Sequence, residues 1–197
     1  MTNKIIIGIT GPNASGKSEV IKYLVKKKFY SASLSDILRK KAKEYNLGSD
    51  RETLIKLGND LRKKYGCGIL AKWLIKDLDK VFKNKIVIDS IRNVSEIKEF
   101  KKKFKDNFYL IYITAPKKRR FKFMQLRKRQ GDPVSYKEFL EIEKKENSNK
   151  SYQQQINKCK EYRDFFINNN STLKELYKKV DIIIKKIDEK NFATKLG

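Results

Sequence analysis

The sequence predicts an α/β fold: a parallel sheet with helices on both faces. Three observations carry that expectation. Short apolar runs recur at 5–10, 29–34, 86–89, 108–114 and 164–168, and stretches with helical spacing separate them. The run at 86–89, Ile86-Val87-Ile88-Asp89, is continuously apolar up to a terminal carboxylate, the profile of a central parallel strand. The first run leads directly into Gly11-Pro12-Asn13-Ala14-Ser15-Gly16-Lys17-Ser18, a GxxxxGKS loop between a strand and a helix.

In chain order, 5–10 is the first strand. The loop at 11–18 aims successive backbone amides, and the positive end of the next helix dipole, at one point that suits a phosphate chain. From there Lys17 can reach the β- and γ-phosphates and the Ser18 hydroxyl can join the shell of a Mg²⁺ ion. Residues 18–27 form the helix, with Val20, Ile21, Leu24 and Val25 at helical spacing. The second strand, 29–34, is followed by a helix over 36–45 with Ser35 as its N-cap, and Gly48 supplies the left-handed terminus. Ser49 and Glu52 have capping-box spacing for a helix over 50–65, closed by Gly66. A further helix covers 69–82, and its Trp73 reads as core.

After the strand at 86–89, Asn93 and Glu96 cap a helix to about 103. The strand at 108–114 ends at Ala115-Pro116. A very basic helix over 117–129, a Gly131-Asp132-Pro133 turn and a helix from Ser135 to about 147 follow, then a polar bridge at 147–151 and a helical stretch ending near Tyr162. Charged and weakly apolar, 117–150 reads as a mobile excursion from the sheet. After the strand at 164–168, Thr172 and Glu175 cap a last helix to about 188, and the tail at 191–197 is expected to fray. Ligands of such sheets bind at the C-terminal edge of the strands, where the 11–18 loop, Asp36, Asp89 and Arg92 all fall.

Composition narrows the chemistry. A chain of 197 residues accommodates one domain, and 39% hydrophobic with 11% aromatic content excludes disorder although 36% is charged. The absence of histidine excludes His-based catalysis and His-containing zinc sites, so acid–base work falls to carboxylates. Cys67 and Cys159 lack metal spacing and, without a recognisable signal peptide, read as reduced thiols of a cytoplasmic protein. No apolar run approaches the roughly 18 residues of a membrane helix, so no membrane partner is expected. Forty-eight Lys and Arg against 23 Asp and Glu give a net charge of +25. That charge attracts polyanions, but the lysines are scattered and no aromatic-plus-basic module accompanies them, so anionic small molecules are the favoured partners over nucleic acid. The sequence carries no signal for an oligomeric state.

These residues resemble the small P-loop kinases of the nucleoside monophosphate kinase type, a group that includes adenylate kinase, deoxynucleoside monophosphate kinases and dephospho-CoA kinase. The similarity runs from Gly11–Ser18 through Ile88-Asp89-Ser90-Ile91-Arg92 to Arg120, Arg127 and the 169–173 loop. The resemblance implies a P-loop NTPase fold with strand order 2-3-1-4-5, one kinase domain over 1–190, a helical acceptor-binding region at 35–82 and a lid at 117–150. It also implies transfer of the γ-phosphate of ATP, with Mg²⁺, to a nucleoside or deoxynucleoside monophosphate. Dephospho-CoA kinase and a nucleic-acid-associated P-loop NTPase are the alternatives.

By the same resemblance Gly11, Pro12, Asn13, Ala14, Ser15, Gly16, Lys17 and Ser18 hold the triphosphate, and Asn169 and Ser171 flank the adenine. Ser18 and, through water, Asp89 hold the metal. Asp36 matches the carboxylate placed near the acceptor, where it accepts a hydrogen bond or acts as a base. Arg92 matches the arginine on the acceptor phosphate, with Arg39, Arg51 and Arg62 to assist. Arg119, Arg120, Arg127 and Arg129 are the available lid arginines. Arg120 and Arg127, two turns apart on one helix face, match the family spacing, one to cover the adenine and the other to neutralise the phosphoryl group in flight. Ser90-Ile91 departs from the Gly and Pro of adenylate kinase, which leaves the acceptor open.

Overall fold

Successive side chains of each strand turn to opposite faces of the sheet, which sets the layers. The computed structural model describes residues 4–128 and 131–196. In it β1 (Ile5–Thr10), β2 (Tyr30–Ser33), β3 (Lys85–Asp89), β4 (Phe108–Thr114) and β5 (Phe165–Asn168) form one parallel sheet in the order β2-β3-β1-β4-β5. Ile6, Ile86, Ile88, Phe108 and Leu110 turn to one face, where they pack with α2 (Leu34–Glu44), α3 (Arg51–Tyr65), α4 (Ile69–Leu78) and α5 (Val94–Phe104). Their neighbours Ile7, Ile9, Val87, Tyr109 and Ile111 turn to the other, against α1 (Lys17–Lys26) and α9 (Leu173–Leu196). Both faces of the sheet are thus covered, as continuously apolar parallel strands require. Each fully buried aliphatic side chain contributes about 1.5–3 kcal/mol.

Between β4 and β5 lie α6 (Lys117–Arg127), α7 (Tyr136–Lys145) and a single turn, α8 (Ile156–Cys159). This excursion has apolar packing of its own: Phe121, Tyr136 and Phe139 meet with ring centroids 5.4 to 5.8 Å apart. Burial pushes the Cys159 thiol up to about 12, so this cysteine packs as an inert side chain. Among the described residues no helix is long and apolar enough to cross a membrane.

The helix ends follow the sequence with local shifts. Asn93 and Glu96 form the expected capping box, and Ser135 caps α7. Ser33, not Ser35, caps α2, its hydroxyl accepting from Ser35 N at 3.2 Å, because the chain leaves the sheet at the Ser33 pairing with Asp89. Asp50, not Ser49, caps α3, accepting from Thr53 N at 3.0 Å. Asn46, at φ 54°, takes the left-handed position expected of Gly48. α4 stops at Leu78, short of 82, and α9 continues to Leu196, past 188.

Candidate active site

The 11–18 loop closes over the C-terminal end of β1. Gly11 and Gly16 have φ of 135° and 100°. A Cβ would lie 2.0 Å from the Ile113 carbonyl oxygen at the first and 2.4 Å from Asn169 Nδ2 at the second, so both positions require glycine. Gly16 is the N-cap of α1 and no side chain caps that terminus, which leaves the first amides to a ligand. Lys17 Nζ spans the loop, donating to the Gly11 and Pro12 carbonyls at 2.8 and 2.7 Å. Burial, helped by the nearby Arg92 charge, lowers its pKa to about 8. Ser15 Oγ is buried and has no hydrogen-bond partner among the described residues. Uncapped amides, an ammonium and a spare hydroxyl together form a donor set that fits a phosphate chain.

Two cavities meet at this loop. The larger, ≈ 890 Å³, runs from Lys17 and Ser18 past Asp89 to Arg119, Asn169 and Ser171. The smaller, ≈ 300 Å³, has Arg39, Arg51, Arg62, Arg92 and Arg127 around an apolar side that includes Leu34, Leu38, Leu54 and Ile55. Asn13, Ser35, Arg39, Ser90, Arg92 and Arg127 border both. Of the residues singled out from sequence, Asp36, Arg39, Asp89, Arg92, Arg127, Asn169 and Ser171 therefore come together with Lys17 around one cleft. Asp36 stands in the first turn of α2, exposed and ion-paired with Arg39 at 2.8 Å.

Four of the residues singled out from sequence are engaged within the chain itself. The Arg62 side chain is 4% exposed, and its Nε and Nη2 both donate to Glu96 Oε1, at 3.1 and 2.8 Å. Arg120 is buried and donates to the Ala115 carbonyl at 2.9 Å and to Glu143, with Asn13 O at 3.4 Å. Asn169 is buried and its amide is held by the Ser15 carbonyl at 3.0 Å. Arg127 forms a two-pronged pair with Asp132 at 2.8 and 2.7 Å. Arg129 lies outside the described residues.

Sequence reasoning did not select Glu143 or Glu146, and it named Arg119 only among the available lid arginines. Arg119, one position before Arg120 and so about 100° around the helix, reaches the β5–α9 loop, donating to Asn170 O at 2.8 Å and to Ser171 O. Glu143 meets Arg120, and Glu146 meets Asn13, Arg51 and Arg92. Neither glutamate carries a local signal, because its partners are distant in sequence.

The profile of the AAA domain family matches residues 10–141. Over 186 residues the chain is 30% identical to the UPF0200 protein PH1008 of Pyrococcus horikoshii, covering 93% of this chain and 97% of that one. The chain belongs to the AAA domain family and to UPF0200. A UPF0200 protein of Sulfurisphaera tokodaii is 32% identical over 183 residues, covering 92% of this chain and 97% of its own length. The chain spans 55% of a UPF0200/UPF0201 protein of Archaeoglobus fulgidus, to which it is 30% identical. Among solved structures, TT1252 from Thermus thermophilus superposes with a TM-score of 0.61 at 20% identity, covering 93% of this chain and 98% of its own. Dephospho-CoA kinase from Campylobacter jejuni superposes with 0.58 at 18%, covering 95% and 99%. Shikimate kinase from Acinetobacter baumannii superposes with 0.55 at 12%, covering 94% and 95%. At these identities the likeness shows the fold, that of the P-loop kinases, for this AAA domain.

Proposed function

We propose that the chain transfers the γ-phosphate of ATP to a nucleoside or deoxynucleoside monophosphate. The observation that carries this reading is the shared wall of the two cavities. The phosphate loop opens on one side, an arginine-rimmed space with an apolar side lies on the other, and Arg92 stands between them. A nucleotide base suits the Leu34–Leu38 side, and guanidinium forks suit the phosphate beside it.

The chemistry follows from charge. An acceptor phosphate oxygen is already ionised, so transfer to it needs alignment and neutralisation rather than a general base. Lys17 and Arg92 supply the cations, and exclusion of water from the cleft strengthens each of them. Asp36, exposed and paired to Arg39, suits acceptor orientation better than proton abstraction. Among the described residues no group of three His, Cys, Asp or Glu is placed to hold a metal. Mg²⁺ would take the Ser18 hydroxyl and, through water, Asp89, which line the same cavity, with nucleotide phosphates and water completing its shell. Bound there, it would neutralise charge on the polyphosphate. The lid role proposed for 117–150 rests on its contacts with the phosphate loop through Arg120 and Glu146.

A screen of acceptor-dependent ADP release with ATP and Mg²⁺ over NMPs, dNMPs and dephospho-CoA tests the reading. Turnover with a monophosphate is expected. Turnover with dephospho-CoA alone would support that kinase activity instead. Release stimulated only by DNA or RNA, steeply lost with salt, would favour a nucleic-acid-associated NTPase.

A further inference from the structure

Glu146 caps the C-terminal end of α7 within Lys144-Lys145-Glu146-Asn147, a run that reads as a solvated helix end. Its side chain is 4% exposed. One oxygen, Oε1, accepts from Asn13 Nδ2 at 2.5 Å, Arg51 Nη2 at 2.5 Å and Arg92 Nη1 at 3.3 Å. The three donors come from the phosphate loop, α3 and the β3–α5 loop, and all three border the smaller cavity. An amide and two guanidinium groups converging on one point form the donor set of a phosphate or carboxylate site. Here that point holds the chain's own carboxylate.

We propose that Glu146 fills the place where Arg92 and Arg51 are expected to hold the acceptor's phosphate, with Asn13 as a third donor, and that it leaves when the acceptor binds. The identity of the ligand rests on the kinase reading above; the existence of an anion site does not. A phosphate dianion and the Glu146 carboxylate, set on the same two arginines, repel each other at short range, so one displaces the other.

The connections show what moves with Glu146. Its carbonyl accepts from Ile156 N at 3.4 Å, and Asn147 and Gln155 form an isolated antiparallel bridge. Gln155 N in turn donates to the Arg92 carbonyl at 2.8 Å, and Asn93 Nδ2 donates to Ser151 O and Gln153 O at 2.6 and 2.8 Å. The end of α7 is thereby tied to the loop that carries Arg92. Departure of Glu146 has to loosen these ties, so the 143–156 segment reports on acceptor binding.

Calorimetric titration of the full chain with inorganic phosphate and, separately, with AMP decides the point. Glu146→Gln preserves shape and an accepting oxygen but removes the charge, and it is expected to bind both probes about tenfold more tightly than the unmodified chain, the size of one charge-assisted hydrogen bond. Adding Arg92→Gln is expected to abolish the gain, which locates it here and not at the phosphate loop. Equal or weaker binding by Glu146→Gln overturns the proposal, as does a gain that survives Arg92→Gln. If Glu146→Gln does not fold, amide exchange in the unmodified chain decides instead. Saturating phosphate is expected to speed exchange over 143–156, and unchanged protection there overturns the proposal. An acceptor screen without turnover would leave a positive result here standing, and a working kinase without a Glu146 effect would leave the kinase reading standing.

Discussion

Asn169 Nδ2 donates to the carbonyl oxygen of Ser15 at 3.0 Å, joining residues 154 positions apart and fastening the β5–α9 loop to the phosphate loop. The same nitrogen occupies the space that a side chain at Gly16 would need. Asn169→Ala is therefore expected to weaken ADP binding and to lower stability by about 1–3 kcal/mol, the cost of an unsatisfied buried acceptor. Urea denaturation and ADP titration on one preparation check this. Full stability together with full affinity would dissociate Asn169 from the loop.

Lys17 gives a pH signature. Its pKa of about 8 means the free chain loses the ammonium as pH rises through that value. A polyphosphate favours the charged form, so ADP affinity is expected to be flat well below pH 8 and to fall above it. Arg92 and Arg120 depress the same group, and Asp89 and Glu146 oppose them. Lys17→Arg, charged throughout, is expected to flatten the profile, and Lys17→Ala to abolish transfer. An unchanged decline in Lys17→Arg would assign the titration to another group.

The Arg62–Glu96 pair separates structural from functional arginines. Removing Arg62 leaves Glu96, itself 0% exposed, without its counter-charge. Glu96 also accepts from Arg92 N and Asn93 N, at 2.9 and 3.0 Å. Arg62→Ala is expected to cost about 3–5 kcal/mol of stability. Arg39→Ala, at an exposed pair, is expected to cost less than about 1 kcal/mol. Denaturation midpoints for the two variants, compared directly, test the contrast.

On α6, Arg119→Ala is expected to raise the KM for ATP several-fold with little change in kcat, since its guanidinium braces the Asn170–Ser171 carbonyls at the rim of the larger cavity. Arg120→Ala is expected to lower stability and kcat together, because it strips a buried partner from Glu143. Steady-state kinetics with melting curves distinguish the two, and identical behaviour would refute the division of labour.

The legible parts of the molecule are the locally encoded ones. β1 with the 11–18 loop, the apolar run ending at Asp89 and the Asn93–Glu96 box each hold their determinants within a few residues, and the sheet order matches that of the kinases the chain resembles. The caps shifted where neighbouring residues offered equivalent chemistry, as Ser33 against Ser35 and Asp50 against Ser49, and only sheet register or helix phase chose between them. Arg62 looked available because Glu96 lies 34 positions away. Glu146 was not singled out, because its partners Arg92 and Arg51 are 54 and 95 positions distant. Rotation around one helix likewise separates Arg119 from Arg120, and spacing alone did not say which would reach the loop at 169–171.

The most direct test of the central claim, phosphoryl transfer across the Arg92 junction, is a ³¹P NMR record of the chain incubated with ATP, Mg²⁺ and the best acceptor of the screen. The account predicts ADP together with a new phosphoanhydride on the acceptor, both lost in Lys17→Ala. Conversion of ATP to ADP and inorganic phosphate with every acceptor unchanged would contradict it.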